Sequence, residues 1–175
     1  MLVGVLLKDV NVMDVFCEMI RVDALDATDK CLKILERALS LYRVDVVLLD
    51  GVTYAGFNIL NPYALHSLMG IPVIVAFRYP LSLDKILRAL KNNFADWRYR
   101  YRVIENVYLK AKKVVFSNGT KLLVTCIGIN EGLCIDLIHK ITFWHPNPEP
   151  LRIADVIASA IGKKVFEKFT HVVSG

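Results

Sequence analysis

Val44-Asp45-Val46-Val47-Leu48-Leu49-Asp50-Gly51-Val52-Thr53 is the stretch whose reading decides the fold. Its first six residues are mostly β-branched or leucine, too few for a helix, with a charged residue before them and a glycine turn signal after. A short continuous apolar run of this kind reads as a strand buried on both faces, as in a parallel sheet. Asp50 ends the run where the chain leaves the sheet through Gly51. Open α/β sheets take their ligands at the C-terminal ends of central strands, so Asp50 is the first candidate for chemistry. The plainer alternative is a turn former, since Asp-Gly favours tight turns.

Working outward, residues 2–8 read as a strand and Lys8-Asp9-Val10-Asn11 as a turn. A second apolar run over residues 15–23 is expected to lie antiparallel to the first because the connection is short. Asp26-Ala27-Thr28-Asp29 reads as a helix start: Asp26 or Thr28 can accept from free N–H groups, and Asp29 suits the positive end of the dipole. Cys31, Ile34, Leu35, Ala38 and Tyr42 then recur at helical spacing as one apolar stripe. Beyond Asp50, residues 51–58 read as a loop and residues 62–69 as a short helix closed by Gly70. Residues 71–77 form the next strand, with Pro72 tolerated near its start. The spacing predicts helices over 80–94, capped by Ser82, and over 96–106, although Arg98-Tyr99-Arg100-Tyr101-Arg102 alternates as a strand would. Residues 114–116 and 122–127 flank Ser117-Asn118-Gly119-Thr120, a hairpin signal. A helix over 130–142, a loop through Trp144-His145-Pro146-Asn147-Pro148 and a last helix over 149–161 follow, with Pro150 allowed in the first turn. The tail from residue 163 reads as a small strand or a frayed, disordered end. An antiparallel pair feeding a βαβα run is an α/β architecture: one mixed sheet flanked by helices, in a single domain over residues 1–175.

Length and composition agree with that outline. A chain of 175 residues can bury a sizeable core in one domain. Hydrophobic residues make up 55% and mean hydropathy is +0.44, yet no run is long enough to span a membrane. The apolar start lacks a basic leader and a small-residue cleavage site, so it does not read as a signal peptide. The apolar excess points to a large core and to a homo-oligomer contact. Cys17, Cys31, Cys126 and Cys134 show no Cys-x-x-Cys pairing and read as buried thiols of a cytoplasmic protein.

Net charge is +5, unevenly spread. Residues 84–113 hold nine basic side chains, Arg88, Lys91, Arg98, Arg100 and Arg102 among them, against three acidic ones, leaving the rest close to neutral. Such a segment on a balanced domain is either a polyanion-binding footprint or a solvated helical surface. Tyr99 and Tyr101 could stack on unpaired bases or pack on their own helix. No glycine-rich phosphate loop, serine elbow or His-Glu-x-x-His is present. His66 and His139 lie in helical stretches and read as surface or satisfied residues. The remaining candidates are carboxylates: Asp23, Asp26 and Asp29 lead into the first helix, and Asp23 or Asp26 could approach Asp50. Carboxylates brought that close repel unless one is protonated or a cation lies between them, and magnesium is the natural cation. Helix-start roles for Asp26 and Asp29 are the alternative.

Four stretches resemble an archaeal family of uncharacterised proteins related to endonuclease V: Asp50-Gly51-Val52-Thr53-Tyr54-Ala55-Gly56-Phe57-Asn58, Gly70-Ile71-Pro72-Val73-Ile74-Val75, Val22-Asp23-Ala24-Leu25-Asp26-Ala27-Thr28, and Pro148-Glu149-Pro150-Leu151-Arg152-Ile153-Ala154-Asp155. The resemblance covers residues 2 to about 162 and implies a ribonuclease-H-like, endonuclease V-like fold. Endonuclease V enzymes cut a phosphodiester near deaminated purines with carboxylate-held magnesium. Asp50 would therefore inherit a catalytic, metal-ligand role, with Asp23 or Asp26 as further ligands and magnesium or manganese as the ion. Arg152 matches a stretch those enzymes also carry at the start of the last helix, and joins Arg88, Lys91, Arg98, Arg100 and Arg102 as expected nucleic-acid contacts. Relatives begin with an additional strand holding a Gly-Ile-Asp-Asp-like segment, whereas this chain resembles them from their second strand. Their aromatic-proline-glycine wedge is not recognisable, no Glu stands at the second ligand position, and Gly128-Ile129 replaces a Gly-His pair. The resemblance thus implies nucleic-acid binding with an incomplete metal-dependent nuclease site. The alternative is a non-enzymatic assembly or small-molecule or partner-binding module on the same fold.

Overall fold

The strand that ends at Asp50 forms the edge of a sheet. The structure, a computed structural model, describes residues 1–9, 11–143 and 147–173, with side chains described to residue 162. The chain opens with a hairpin of β1 (Leu2–Lys8) and β2 (Asn11–Glu18), antiparallel, with a register shift between Leu6 and Leu7. The second strand thus ends earlier than the apolar run over 15–23 suggests. Helix α1 (Ala27–Leu41) follows and buries Ala27, Cys31, Ile34, Leu35 and Ala38, the expected stripe. Strand β3 (Val47–Asp50) comes next. The expected loop after it contains a small hairpin, β4 (Thr53–Tyr54) and β5 (Asn58–Ile59).

Helix α2 (Pro62–Met69) has Pro62 in its first turn, an Asn61 side-chain cap on Tyr63 and Ala64, and a left-handed Gly70 at its C-terminal end. Strand β6 (Val73–Phe77), helices α3 (Leu83–Asn93) and α4 (Trp97–Tyr108), the hairpin β7 (Lys112–Val115) and β8 (Lys121–Ile127), and helix α5 (Glu131–Lys140) complete the order up to the last helix. The alternating Arg98–Arg102 stretch is helical, because Val103, Ile104 and Val107 at helical spacing supply a buried face. Helix α6 (Glu149–Val173) continues beyond residue 163, where a strand or frayed end was expected. Val10 and Trp144-His145-Pro146, parts of two expected connections, lie outside the described residues. Among the described residues no helix is long and apolar enough to cross a membrane.

The four-stranded sheet runs β3-β6-β8-β7, with β3 parallel to β6 and the other pairs antiparallel. Side chains alternate between its faces. Leu49, Val73 and Val75 join one core cluster with α1, α2, α3 and α4, and Ile74, Ala76 and Val124 join a second with α5. Val46, Leu48 and Leu151 pack against that second cluster. Two expectations fail here. Strand β6 is buried at every position, but β3, expected to be buried on both faces, is mostly half-buried because, among the described residues, β6 is its only hydrogen-bonded neighbour strand. Cys126 and Cys134, expected as free thiols, form a disulfide between β8 and α5, and the thiol argument for a cytoplasmic setting falls with it. Tertiary packing sets Cα atoms 6.3 Å apart, a proximity that a separation of eight residues did not reveal.

Candidate functional site

Asp50 and Arg78 meet at the ends of two parallel neighbours. Asp50 is level with Ala76, two residues before Arg78, so the alternation of the strand carries the guanidinium to the face of the carboxylate. The Asp50 carboxylate accepts from Arg78, and each side chain is about a third exposed, at 32% and 31%. Gly51 (φ 74°) donates to the Ala76 carbonyl at 2.9 Å and turns the chain out of the sheet in a left-handed conformation that suits glycine. Tyr54 lies behind Asp50. Burial pushes its hydroxyl pKa up, the Asp50 carboxylate pushes the same way, and a backbone hydrogen bond from Asp50 opposes them.

Asp23 and Asp26 serve a different structure. Asp23 (φ 56°) donates its N–H to Ala55 and accepts from the Phe57 N–H at 2.7 Å, gripping the β4–β5 hairpin. A side chain at Gly56 would run into that carboxylate, and its φ of 82° also demands glycine. Asp26 accepts from the Asn58 amide at 2.6 Å and pairs with Arg21 at 3.3 Å. The Asn58 hydrogen bond is the main reason its pKa lies below the ordinary aspartate value. Asn58 is fully buried; its oxygen accepts from the Ala27 N–H at 3.0 Å, and its amide also donates to the Arg21 carbonyl. The start of α1 is therefore capped from 31 residues away, and Asp26 makes no side-chain cap. Thr28 likewise donates to Ile59 and accepts from Asn61.

The basic segment divides. Arg100, expected among the phosphate contacts, is 4% exposed. Its guanidinium donates to Asp96, to the Ala24 carbonyl at 3.0 Å and to the Phe57 carbonyl at 2.6 Å, and it lies over the Phe94 ring. This arginine staples α4 to the turn before α1 and to the β4–β5 hairpin; with four of its five N–H donors engaged and its side chain 5% exposed, it is not placed to meet a phosphate. Lys91 and Arg98 are exposed and sit over the Trp97 ring, at 5.0 and 4.6 Å from its centroid. Arg88 and Arg102 are exposed on the same two helices. Arg152 pairs with Glu149 at 2.7 Å, which holds the glutamate pKa low and the arginine pKa high and neutralises much of the charge. His66 accepts its helical role, with Nδ1 2.9 Å from the Ile71 carbonyl and its ring against Gly128.

The donor set does not fit the expected magnesium or manganese ion in this arrangement. Asp50 is engaged by Arg78, Asp23 by backbone and Asp26 by Asn58 and Arg21. Among the described residues no group of three or more His, Cys, Asp or Glu side chains lies close enough to hold a metal ion. Arg100 and Asn58, which organise this end of the molecule, are what sequence reasoning missed. Their signals are an arginine inside an apolar helical face and an asparagine closing the Asp50–Asn58 stretch.

Residues 1–162 match the family model described as Endonuclease dU. A protein called UPF0215 from Methanothermobacter thermautotrophicus is 33% identical over 162 residues, 92% of this chain and 78% of its own length. Among solved structures, a protein of unknown function from Archaeoglobus fulgidus superposes with a TM-score of 0.77 at 24% identity, covering 91% of this chain and 88% of its own. Human ENDOV gives a TM-score of 0.58 at 13% identity, with 94% and 84% coverage. Ciona intestinalis endonuclease V, bound to a 23mer DNA containing an inosine followed by a ribo-adenosine, gives 0.55 at 15% identity, with 89% and 72% coverage. The fold is thus the ribonuclease-H-like α/β fold of endonuclease V, a mixed sheet flanked by helices.

Proposed function

The chain belongs to the endonuclease dU family, and on that premise we propose that it binds nucleic acid, with DNA carrying a deaminated base as the substrate class. The observation that carries this reading is the cluster at the corner between α3 and α4, where exposed Lys91 and Arg98 flank the half-buried Trp97 ring. Cations beside a half-buried aromatic ring can hold phosphates, and a base that displaces one of them can stack on the ring face, a mode that suits unpaired bases. The corner is tied to the strand end. Phe94 packs edge-on against Phe57 at 5.8 Å, and Arg100 holds the Phe57 carbonyl, so the β4–β5 hairpin links Trp97 to the segment following Asp50. The family description names deoxyuridine, and the DNA in the Ciona complex carries inosine, another deaminated base.

Asp50 is the candidate catalytic carboxylate, in the role of a metal ligand. With its carboxylate on Arg78 and, among the described residues, no cluster of three or more His, Cys, Asp or Glu side chains to hold an ion, binding with little or no cleavage is the expected behaviour. The test is fluorescence anisotropy with single-stranded oligonucleotides that contain deoxyuridine, inosine or neither, at several salt concentrations. The expected result is salt-sensitive binding whose log–log slope shrinks by about 0.7 for each phosphate contact removed, hence by roughly 1.4 in Lys91→Ala/Arg98→Ala. Binding that is absent, or indifferent to that double substitution, overturns the reading.

A further inference from the structure

The loop after β6 holds an aromatic ring out in solvent. Among the described residues the exposed aromatic side chains are Tyr79, Tyr99 and Phe143, and Tyr79 is the most exposed, at 74%. Single apolar side chains on a surface are ordinary, but this one is carried by a fixed support. Tyr108 of α4 pins the loop on both sides: its ring packs edge-on against Phe77 at 5.4 Å, and its hydroxyl accepts from the Leu81 N–H at 3.0 Å. Pro80 restricts the Tyr79 backbone to extended conformations. The residue before Tyr79 is Arg78, whose guanidinium compensates the Asp50 carboxylate, so a polyanion meets little net repulsion there. A rigid loop therefore presents a ring at the C-terminal ends of β3 and β6, where α/β sheets take their ligands.

From that loop the chain enters α3, whose far end is the Trp97 corner. Lys85, Arg88 and Lys91 recur along this helix at three-residue intervals, all exposed, against one acid, Asp84. Residues at that interval form a continuous row on a helix surface. Every arginine outside α3 and α4 has a carboxylate partner, whereas Arg88, Arg98 and Arg102 have none among the described residues. We propose that Tyr79 is a second stacking point for the bound nucleic acid. A single strand runs along α3 with its phosphates on the Lys85–Arg88–Lys91 row, one unpaired base on Trp97 and another on Tyr79 beside Asp50. The inference rests on the nucleic-acid reading and extends it from the corner to the candidate catalytic carboxylate. The 11 residues of α3 span about 16 Å, the length of roughly five nucleotides at a stacked spacing of about 3.4 Å. Within a duplex the base faces already cover one another, so two separate protein rings favour an unpaired strand of at least that length.

The experiment follows the anisotropy of a labelled single strand of roughly 12 nucleotides, about twice the span of α3, carrying one deoxyuridine. The full chain is compared with Tyr79→Leu, Tyr79→Trp and Lys85→Ala/Arg88→Ala at several salt concentrations. Leucine keeps apolar bulk and removes the ring, whereas tryptophan keeps a ring. Because Tyr79 is exposed, both substitutions should leave Tm unchanged to within about 2 °C. Tyr79→Leu is expected to raise Kd roughly tenfold with the salt slope unchanged, since it loses a stacked base and no phosphate contact. Tyr79→Trp should bind within about twofold of wild type. Lys85→Ala/Arg88→Ala should instead shrink the log–log slope by about 1.4. The proposal is overturned if Tyr79→Leu binds as wild type does or melts well below it, if Tyr79→Trp is as weak as Tyr79→Leu, or if the double substitution leaves the slope intact. Each of those results spares Lys91 and Arg98 at the corner, so the broader reading survives them. A wild type that binds no oligonucleotide removes both.

Discussion

Replacing Arg100 by methionine separates a structural arginine from a phosphate-binding one. Methionine keeps much of the apolar stem that crosses Phe94 and removes the guanidinium. The Ala24 and Phe57 carbonyls each lose a charged donor, at 3.0 and 2.6 Å, and Asp96 loses a two-point partner. Hydrogen bonds to charged groups are worth about 1.5–3 kcal/mol each. Asp96 is 38% exposed and can turn to water, so the two carbonyls dominate and the expected loss is about 3 kcal/mol. For a chain of this size that is a fall in Tm of roughly 6–12 °C. The pH dependence gives a second readout. The Arg100 hydrogen bond holds the Asp96 pKa below its ordinary value. Its stabilisation is therefore complete above the unfolded value of about 4 and is lost as pH falls through the lower folded value. The gap between wild type and Arg100→Met should narrow in acid. Urea melts from neutral pH down to about 3, alongside anisotropy binding curves, measure both. A variant as stable as wild type, with the salt slope of oligonucleotide binding reduced, would refute the assignment and restore Arg100 as a phosphate contact.

Two further outcomes follow from the site and the core. Millimolar magnesium or manganese should leave the melting temperature of the free chain unchanged to within about 1 °C, because stabilisation by a ligand requires concentrations near its Kd and the carboxylates are otherwise engaged. An ion-dependent rise that disappears in Asp50→Ala would show that the acids can regroup around a cation. Cys134→Ala, which removes the link between β8 and α5, should cost about 2.5 kcal/mol for a loop this short, a fall in Tm of roughly 5–10 °C. Denaturing mass spectrometry of the unreduced protein checks the premise, since two free thiols at Cys126 and Cys134 would remove it.

The local signals in the sequence carried the elements well. Apolar periodicity located α1, α2, β6 and the β7–β8 hairpin, and Asn61, Pro62 and Gly70 marked both ends of α2 through backbone chemistry that depends only on near neighbours. The position of Asp50 at a strand end was legible for the same reason. The partners of each side chain were not. Asp23 and Asp26, read from their spacing as ligands or helix starters, are fixed by Phe57 and Asn58 more than thirty residues onward. Arg100, one of five basic residues that look alike in the sequence, is distinguished only by the two carbonyls that the fold brings beneath it. The apolar run over 44–49 showed that β3 could be buried on both faces, but whether a strand lies at the centre or the edge depends on what pairs with its far side. Periodicity records which faces of a segment avoid water, since that preference belongs to the residues themselves. Pairing is a contest among distant segments for the same hydrogen bonds, and only the folded chain decides which of them meet.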